Sequence, residues 1–294
     1  MTQSLFNKEY NSKYNFIDKI VRRNGWLSRE AENYQYRQEQ VKMIDTILNG
    51  INEKENVVVE APTGTGKSFA YLLAAMEQIV HGNKRVAVTT NTINLQEQLM
   101  KSDLPFLVDI FKKYKNTKIN YQILKGKSNY FCPKKIKEFE KEGIEVENKK
   151  EIDYIKEAIK WSKRTTTGNK SEAPQNVLKV WNKIAADQHC SKNCKYKKEC
   201  PFRKARKKAK KADIVILNHH TYIMDYLVKN KNQKGFLGDF DIVIFDEGHH
   251  LEKVVIETFG KQISYYSTIS RINSSIKALN KEKKKKTENV KMAN

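Results

Sequence analysis

A glycine-rich stretch, EAPTGTGKS at residues 60–68, carries the residue types that bind phosphate. Gly64 and Gly66 allow the backbone to turn so that its N–H groups face an anion. Lys67 can reach the β- and γ-phosphates of a nucleoside triphosphate, and the Ser68 hydroxyl can bind Mg²⁺ beside them. The stretch follows an apolar run and opens a helical pattern, as a phosphate-binding loop requires. The predicted contacts to ATP are Thr63, Gly64, Thr65, Gly66, Lys67 and Ser68.

Two acidic residues, Asp246 and Glu247, follow the apolar run DIVIF at residues 241–245. A carboxylate at the carboxyl end of a parallel strand can hold Mg²⁺ beside bound phosphates, which is the role expected of Asp246. Glu247 can orient and deprotonate the attacking water. Ala61 stands where the general loop pattern has its first glycine. Because both motifs occur together, Lys67, Asp246 and Glu247 are the predicted catalytic residues of ATP hydrolysis.

The chain has four cysteines, and three of them fall within eleven positions. In a protein without a secretory signal, clustered cysteines are metal ligands more often than disulfides. Four thiolates can hold a [4Fe–4S] cluster, or they can close a tetrahedral Zn²⁺ site. The spacing of the cysteines alone does not decide between the cluster and zinc. His189, next to Cys190, is a further possible zinc ligand and so supports the zinc alternative. The predicted ligands are Cys132, Cys190, Cys194 and Cys200.

These groups need a scaffold, and five short apolar runs are predicted to supply one as buried strands of a parallel sheet. Helical patterns lie between several of the runs, one from Ser68 to about His81 and another from about Leu95, which Pro105 is expected to break. Alternating strands and helices predict an open α/β sheet. The predicted strands are residues 57–60, 85–89, 119–124, 213–217 and 241–245.

The interval from about residue 126 to residue 211 departs from this alternation and contains all four cysteines. Two sets of apolar residues in it have helical spacing, so we predict a small helical domain inserted into the sheet. Its segments bury little apolar surface, and metal ligation would hold them together. The two sets are Ile152, Ile155 and Ile159, and Val177, Trp181 and Ile184.

The composition is strongly basic, with 56 Lys and Arg against 34 Asp and Glu and a formal net charge of +22. This charge favours a polyanionic partner, nucleic acid first, although lysines on solvated faces are the alternative. A basic run at residues 203–211 would follow a phosphate backbone. Tyr130 and Phe131 would either stack on bases or pack against the metal site. The sequence has neither a signal peptide nor an apolar run of about 18 residues, so we expect a cytoplasmic protein without a membrane partner.

Several of these stretches resemble, in the same order, the motifs of superfamily 2 helicases of the DinG/XPD type. EAPTGTGKS and DEGH resemble motifs I and II, and TTNTINLQEQL at 89–99 resembles motif Ia on the DNA path. YQYRQEQVKM at 34–43 resembles the motif that contacts the adenine side, through Arg37 and Gln40. KGKSNYFCP and CPFRKARKKAKKADIVILNHH resemble the flanks of the family's iron–sulfur domain, which favours [4Fe–4S] over zinc.

The resemblance implies a RecA-like P-loop domain, interrupted by a small helical iron–sulfur insertion and followed by the start of a helical arch. It also implies ATP-driven translocation on single-stranded or forked DNA, from 5′ to 3′, with RNA left open as a substrate. The expected divisions are an N-terminal extension at 1–33, motor domain 1 at 34–126 and 206–250, the insertion at 127–205, and the arch and basic tail at 251–294.

Motor helicases of this kind close ATP between two RecA-like domains, and the second domain supplies an arginine that stabilises transition-state charge. The residues after DEGHH show no second strand–helix pattern. We therefore expect a truncated chain, its reading frame interrupted near the lysine run at 283–286, that needs a second motor domain or partner subunit for full activity. The alternative is a nucleotide- and nucleic-acid-binding module without autonomous helicase activity.

Overall fold

The structure is a computed structural model that describes residues 12–142, 149–187, 190, 193–231, 235–260 and seven further positions between 268 and 279. His189 and the lysine run at 283–286 lie outside the described residues. The chain divides into two compact units, Met1–His250 and Leu251–Asn294. In the second unit, helix α13 spans Leu251–Phe259. Among the described helices, none is both long and apolar enough to cross a bilayer.

The first unit is built on a four-stranded, wholly parallel sheet in the order β2-β3-β1-β4. Val86 aligns with Ile214 on one side and with Ile242 on the other. β1 is buried along its whole length, as expected for a central strand covered on both faces. The predicted α/β class with a RecA-like parallel sheet is confirmed. The strands are β1 (Val86–Thr90), β2 (Tyr121–Leu124), β3 (Ile214–Asn218) and β4 (Ile242–Phe245).

The fifth predicted strand, residues 57–60, is wrong. Within the described part of the chain this stretch pairs with no neighbour, and Val58 is 96% exposed. Valine content favours an extended backbone, but a strand also needs a second strand whose N–H and C=O groups complete the ladder. β4 pairs with β1 on one side only, as far as the described residues show.

The main core lies between the sheet and the helices that precede and follow β1. Helix α4 contributes the apolar run from Ala70 to Met76, which is buried throughout. This helix confirms the predicted helical pattern after the glycine-rich loop. The helices are α1 (Asn15–Val21), α2 (Trp26–Glu30), α3 (Gln38–Glu53), α4 (Lys67–Gly82), α5 (Ile93–Gln98), α6 (Leu104–Lys115) and, after β3, α12 (His219–Asn230).

Pro105 does not break the helical pattern as expected. It stands in the first turn of α6, directly after a π-helical segment in which the regular i→i−4 hydrogen bonds are already interrupted. A short π-helical segment, Leu99–Asp103, connects α5 to α6 without leaving the helical conformation. The chain is therefore helical from residue 93 to residue 115.

The inserted segment between β2 and β3 forms a separate apolar cluster, which includes Phe131, Ile155, Val177, Trp181 and Ile184. Both predicted helical faces contribute to it, the first on α8 and the second on two consecutive short helices. The helices of this segment are α7 (Pro133–Glu142), α8 (Lys149–Arg164), α9 (Gln175–Lys179), α10 (Trp181–Ile184) and α11 (Pro201–Ala209), with short 3₁₀ turns at Lys127–Asn129 and Lys170–Glu172.

Candidate nucleotide site and basic cleft

The glycine-rich loop leads directly into the N-terminus of α4. Gly64 and Gly66 both have φ of +84°, a conformation that favours glycine, and Gly66 is the N-cap residue of the helix. The first N–H groups of a helix lack intrahelical acceptors and carry partial positive charge, so they form a natural anion site. The loop therefore has the backbone geometry that phosphate binding requires.

Arg37 and Gln40 hold this loop from the side. The Arg37 guanidinium donates to the carbonyl of Gly64 at 2.5 Å, and the Gln40 amide donates to the carbonyl of Gly66 at 3.0 Å. Gln40 is buried at the start of α3, whereas Arg37 is exposed. In this structure the two residues predicted to contact adenine bind the backbone of both loop glycines.

The loop lysine and the acidic motif meet at the same place. The Lys67 ammonium donates to the carbonyl of Ala61 at 3.1 Å and lies 3.8 Å from a carboxylate oxygen of Glu247. The backbone N–H of Asp246 donates to the carbonyl of Thr89 at 2.8 Å, which fixes the end of β4 against β1. The fold thus brings together the three predicted catalytic residues from opposite ends of the domain.

Glu247 occupies the left-handed region with φ of +57°, which is uncommon for a residue with a side chain. Its carboxylate also lies 3.4 Å from the imidazole of His249. A strained backbone at this position turns the chain sharply after β4 and sets Glu247 next to the loop.

Tyr71, which the sequence motifs did not indicate, joins the predicted magnesium ligands. Its hydroxyl donates to Oδ2 of Asp246 at 3.1 Å and lies near the Ser68 side chain. Burial raises the pKa of Asp246, and burial followed by the Asp246 charge raises the pKa of Tyr71 well above its ordinary value. Helical periodicity offered a signal, because Tyr71 is four residues after Lys67 and so lies on the same face of α4.

The donors at this point fit Mg²⁺. Ser68 supplies a hydroxyl at the start of α4, and Asp246 supplies a carboxylate that accepts a hydrogen bond from Tyr71. Mg²⁺ prefers oxygen ligands, and it binds through one or two carboxylates together with the phosphates of its substrate. The residues present therefore suit a magnesium–nucleotide complex.

His219 is a second buried residue near the acidic motif that sequence motifs did not indicate. Its Nδ1 lies 2.8 Å from the Thr89 hydroxyl, and burial lowers its pKa. Its ring also lies 6.0 Å from that of Phe245, the last residue of β4. A neutral imidazole here connects the ends of β1, β3 and β4.

All four cysteines are thiols that form no disulfide bond, and Cys200 is buried. Burial raises the pKa of the Cys200 thiol, and the nearby Cys190 and Cys132 thiols raise it further. Three of the predicted ligands therefore lie in one neighbourhood. Within the described residues, however, no three His, Cys, Asp or Glu side chains are close enough together to hold a metal ion. The structure does not bring the predicted sulfur set into ligating geometry.

A cleft of about 690 Å³ opens between the end of β2, the loop at residues 165–172 and helix α11. Its lining includes a row of lysines from α11 and the turn after it: Lys204, Lys207, Lys208 and Lys211. These lysines are exposed, as a surface that binds a polyanion requires.

The floor of the cleft contains an ion pair. Lys125 is only 3% exposed, and its ammonium lies 2.5 Å from Glu97 of α5 and 3.2 Å from the hydroxyl of Ser171. Burial acts to raise the pKa of Glu97, but hydrogen bonds from Lys101 and Lys125 prevail and lower it to about 2. The pair ties the predicted motif Ia helix to the inserted segment.

Tyr130 and Phe131 are buried at the start of the inserted segment. The Tyr130 ring packs against Phe202 at 5.7 Å, and the Phe131 ring packs against Trp161 at 5.7 Å. Burial raises the pKa of Tyr130 to about 12. Of the two roles considered for this pair, the structure places them in packing and not on an open stacking surface.

A phosphate loop at a helix N-terminus, facing an acidic pair at the end of a parallel strand, defines a P-loop nucleotide-binding domain. The family comparison narrows this class, because residues 37–160 match the DEAD/DEAH box helicase family. The chain is similar to a part of the YoaA and DinG helicases, as individual relatives show.

ATP-dependent DNA helicase YoaA of Haemophilus influenzae is 32% identical over 254 residues, covering 85% of this chain and 38% of the relative. YoaA of Escherichia coli is 31% identical over 247 residues, covering 82% and 37%. The 3′-5′ exonuclease DinG of Bacillus subtilis is 28% identical over 254 residues, covering 84% and 26%. The chain thus spans less than two fifths of the length of these relatives.

Proposed function

We propose that the chain is the ATP-binding motor portion of a DinG-type DNA helicase, in which ATP hydrolysis drives movement along single-stranded or forked DNA. The observation that carries this proposal is the meeting of Lys67 with Glu247 beside the P-loop. The relatives named as ATP-dependent DNA helicases support it. The 5′-to-3′ direction is part of the proposal and derives from the motif resemblance.

Each residue of the site has a specific part in this proposal. Lys67 binds the β- and γ-phosphates, while the backbone N–H groups of the loop from Thr63 to Gly66 surround them. Ser68 and Asp246 hold Mg²⁺, which supplies charge neutralisation when it is bound. Glu247 accepts the proton of the attacking water and orients it. The hydrogen bond from the Lys67 ammonium to the Ala61 carbonyl would break when the ammonium binds a phosphate.

The basic cleft is the proposed path of the nucleic acid. Its α11 lysines would neutralise backbone phosphates, and the buried Lys125–Glu97 pair would hold the motif Ia helix beside them. DNA is the proposed substrate because the relatives are named as DNA helicases. A competition experiment, in which unlabelled DNA or RNA of the same length displaces a labelled DNA probe, distinguishes the two substrates.

We also propose that Cys132, Cys190, Cys194 and Cys200 hold a [4Fe–4S] cluster, with Zn²⁺ as the alternative. The Cys190 and Cys132 thiols are near enough to Cys200 to raise its pKa, which supports a common site for these cysteines. The apolar cluster of the insertion is small, so a bound metal would add to the stability of this segment. Because the described side chains are not in ligating geometry, no step of the proposed reaction passes through this metal.

The second candidate is a binding module that lacks turnover by itself. The open position of Lys67 and Glu247, each about one-third exposed, favours it, since a second surface would have to close over the nucleotide. A second motor domain or a partner subunit would then complete the ATP site and supply the arginine for the transition state.

One experiment separates the two candidates. Binding of a fluorescent ATP analogue and steady-state ATPase are measured on the purified chain, each with and without single-stranded DNA. Binding together with DNA-stimulated turnover supports the motor, and binding without turnover supports the module. Failure to bind the analogue at millimolar concentration overturns both.

A further inference from the structure

Tyr71 occupies an unusual position for an aromatic residue of a helix core. Its side chain is 4% exposed and belongs to the main apolar cluster, yet its hydroxyl reaches the polar end of the domain. There it donates to Oδ2 of Asp246 at 3.1 Å. A phenylalanine would fill the same volume, so core packing alone does not account for the hydroxyl.

The Tyr71 hydrogen bond joins two elements that are distant in the sequence. Tyr71 is in α4, one turn after Ser68, and Asp246 follows β4. The backbone of Asp246 is fixed separately by its N–H bond to Thr89. The Tyr71 hydroxyl therefore restrains the Asp246 carboxylate near the end of α4 that carries Ser68.

We propose that Tyr71 is a positioning residue for magnesium: its hydroxyl holds the Asp246 carboxylate beside the Ser68 hydroxyl, in the arrangement that receives the Mg²⁺ of a magnesium–nucleotide complex. The inference rests on the proposed function, because it assumes that nucleotide and Mg²⁺ bind at the loop. Side chains that orient metal ligands by hydrogen bonding affect metal affinity by about 10- to 100-fold. Tyr71 itself does not contact the phosphates in this proposal.

The test compares Tyr71→Phe with Tyr14→Phe. The control removes the hydroxyl of a different tyrosine that bonds Asn49 and Asn52 on α3, away from the loop. Affinity for a fluorescent ATP analogue is measured in EDTA and then across a Mg²⁺ titration, and bound Mn²⁺ is measured by electron paramagnetic resonance. Neither readout requires hydrolysis.

For Tyr71→Phe we expect affinity in EDTA within about twofold of the unaltered chain, together with a Mg²⁺ midpoint raised about tenfold. Tyr14→Phe should leave the midpoint unchanged. In an Asp246→Asn background, Tyr71→Phe should add no further shift, because Tyr71 acts through that carboxylate.

Other outcomes contradict the inference in distinguishable ways. An unaltered chain that binds no analogue overturns the proposed function itself. An unaltered chain that binds normally, with the same Mg²⁺ midpoint in Tyr71→Phe, overturns only the role of Tyr71. If Tyr71→Phe loses affinity for the ATP analogue equally with and without Mg²⁺ and also melts at a lower temperature, the hydroxyl has a purely structural role. That result overturns the positioning role of Tyr71 as well.

Discussion

The ammonium of Lys67 lies 3.8 Å from the carboxylate of Glu247, although one residue begins α4 and the other follows β4. Both side chains are about one-third exposed, so the pair lies at an open mouth and not in the core. An exposed pair of this kind contributes little to stability. In the proposed function the pair serves ATP hydrolysis and not folding, since a γ-phosphate and a water molecule would have to come between the two groups.

The first prediction concerns hydrolysis. Glu247→Gln should keep affinity for the ATP analogue within about threefold, because the amide retains the shape of the side chain, and should lower ATP turnover by about 10²- to 10⁴-fold, because the amide cannot accept a proton. Phosphate release measures the effect. The matched control is Glu138→Gln, on an exposed carboxylate of α7 that pairs with Lys134. Unchanged turnover in Glu247→Gln would remove its proposed role.

The second prediction concerns loop support. Gln40→Ala removes the hydrogen bond to the Gly66 carbonyl and should weaken analogue binding about fivefold, as loss of one hydrogen bond of about 1 kcal/mol implies. Amide exchange in residues 62–67 should become faster. Glu39→Ala, on the exposed neighbour in the same helix, should change neither. If Gln40→Ala changes affinity without changing loop exchange, the residue contacts the nucleotide instead.

The third prediction concerns the basic cleft. Replacing Lys204 or Lys207 with alanine should weaken binding of single-stranded DNA and reduce the slope of log affinity against log salt by about 0.7 for each phosphate that is no longer neutralised. Fluorescence anisotropy at several salt concentrations provides the measurement. Lys156→Ala, on an exposed lysine of α8 outside the cleft, is the control. An equal weakening for Lys156→Ala would indicate diffuse attraction by the whole basic surface.

The fourth prediction is a pH dependence. The pKa of Glu97 is lowered to about 2 in the folded chain, from an ordinary value of 4.5. As the pH falls, the unfolded state therefore binds this proton before the folded state does. The contribution of the Glu97 carboxylate to the free energy of unfolding is complete above pH 4.5 and disappears as the pH falls towards 2. It amounts to about 1–3 kcal/mol. Glu97→Gln should remove that part of the acid dependence in urea unfolding between pH 5 and 2.5, and a slope identical to that of the unaltered chain would contradict the assignment.

The fifth prediction concerns the thiols. Protein purified without oxygen should contain about four iron and four sulfide per chain and show broad visible absorption, and Cys200→Ser should lose both. One zinc per chain, without sulfide or colour, would support the zinc alternative. Absence of either metal from a folded chain would contradict metal ligation at these cysteines.

Much of the scaffold could be predicted from sequence because it depends on local composition. The runs that became β1 and β3 are mainly apolar, and they occupy the middle of the sheet where that composition is required. Residues 57–60 have the same composition, but a pairing partner cannot be inferred from the run itself. The expectation for Pro105 was wrong because the π-helical segment before the proline keeps the chain helical without the regular α-helical hydrogen bonds.

The site was predictable to the extent that its residues belong to contiguous motifs. Lys67, Asp246 and Glu247 stand in such motifs, and the fold brings them together. Tyr71 and Lys125 act through partners that are remote in sequence, Asp246 in one case and Ser171 in the other, so the motifs do not indicate their roles. Helical spacing places Tyr71 on the face of α4 that carries Lys67, but it does not identify Asp246 as its partner. The Arg37 and Gln40 contacts to the loop backbone likewise depend on how α3 approaches α4.

The valines at positions 57–59 have a practical consequence. Val58 is almost fully exposed, and Val57 and Val59 are each more than one-third exposed, on an extended backbone with no ladder in the described part of the chain. Uncharged β-branched segments in this state attract similar segments from other molecules. Self-association should therefore limit how far the purified protein can be concentrated, and a single lysine at position 58 should postpone precipitation without lowering the melting temperature.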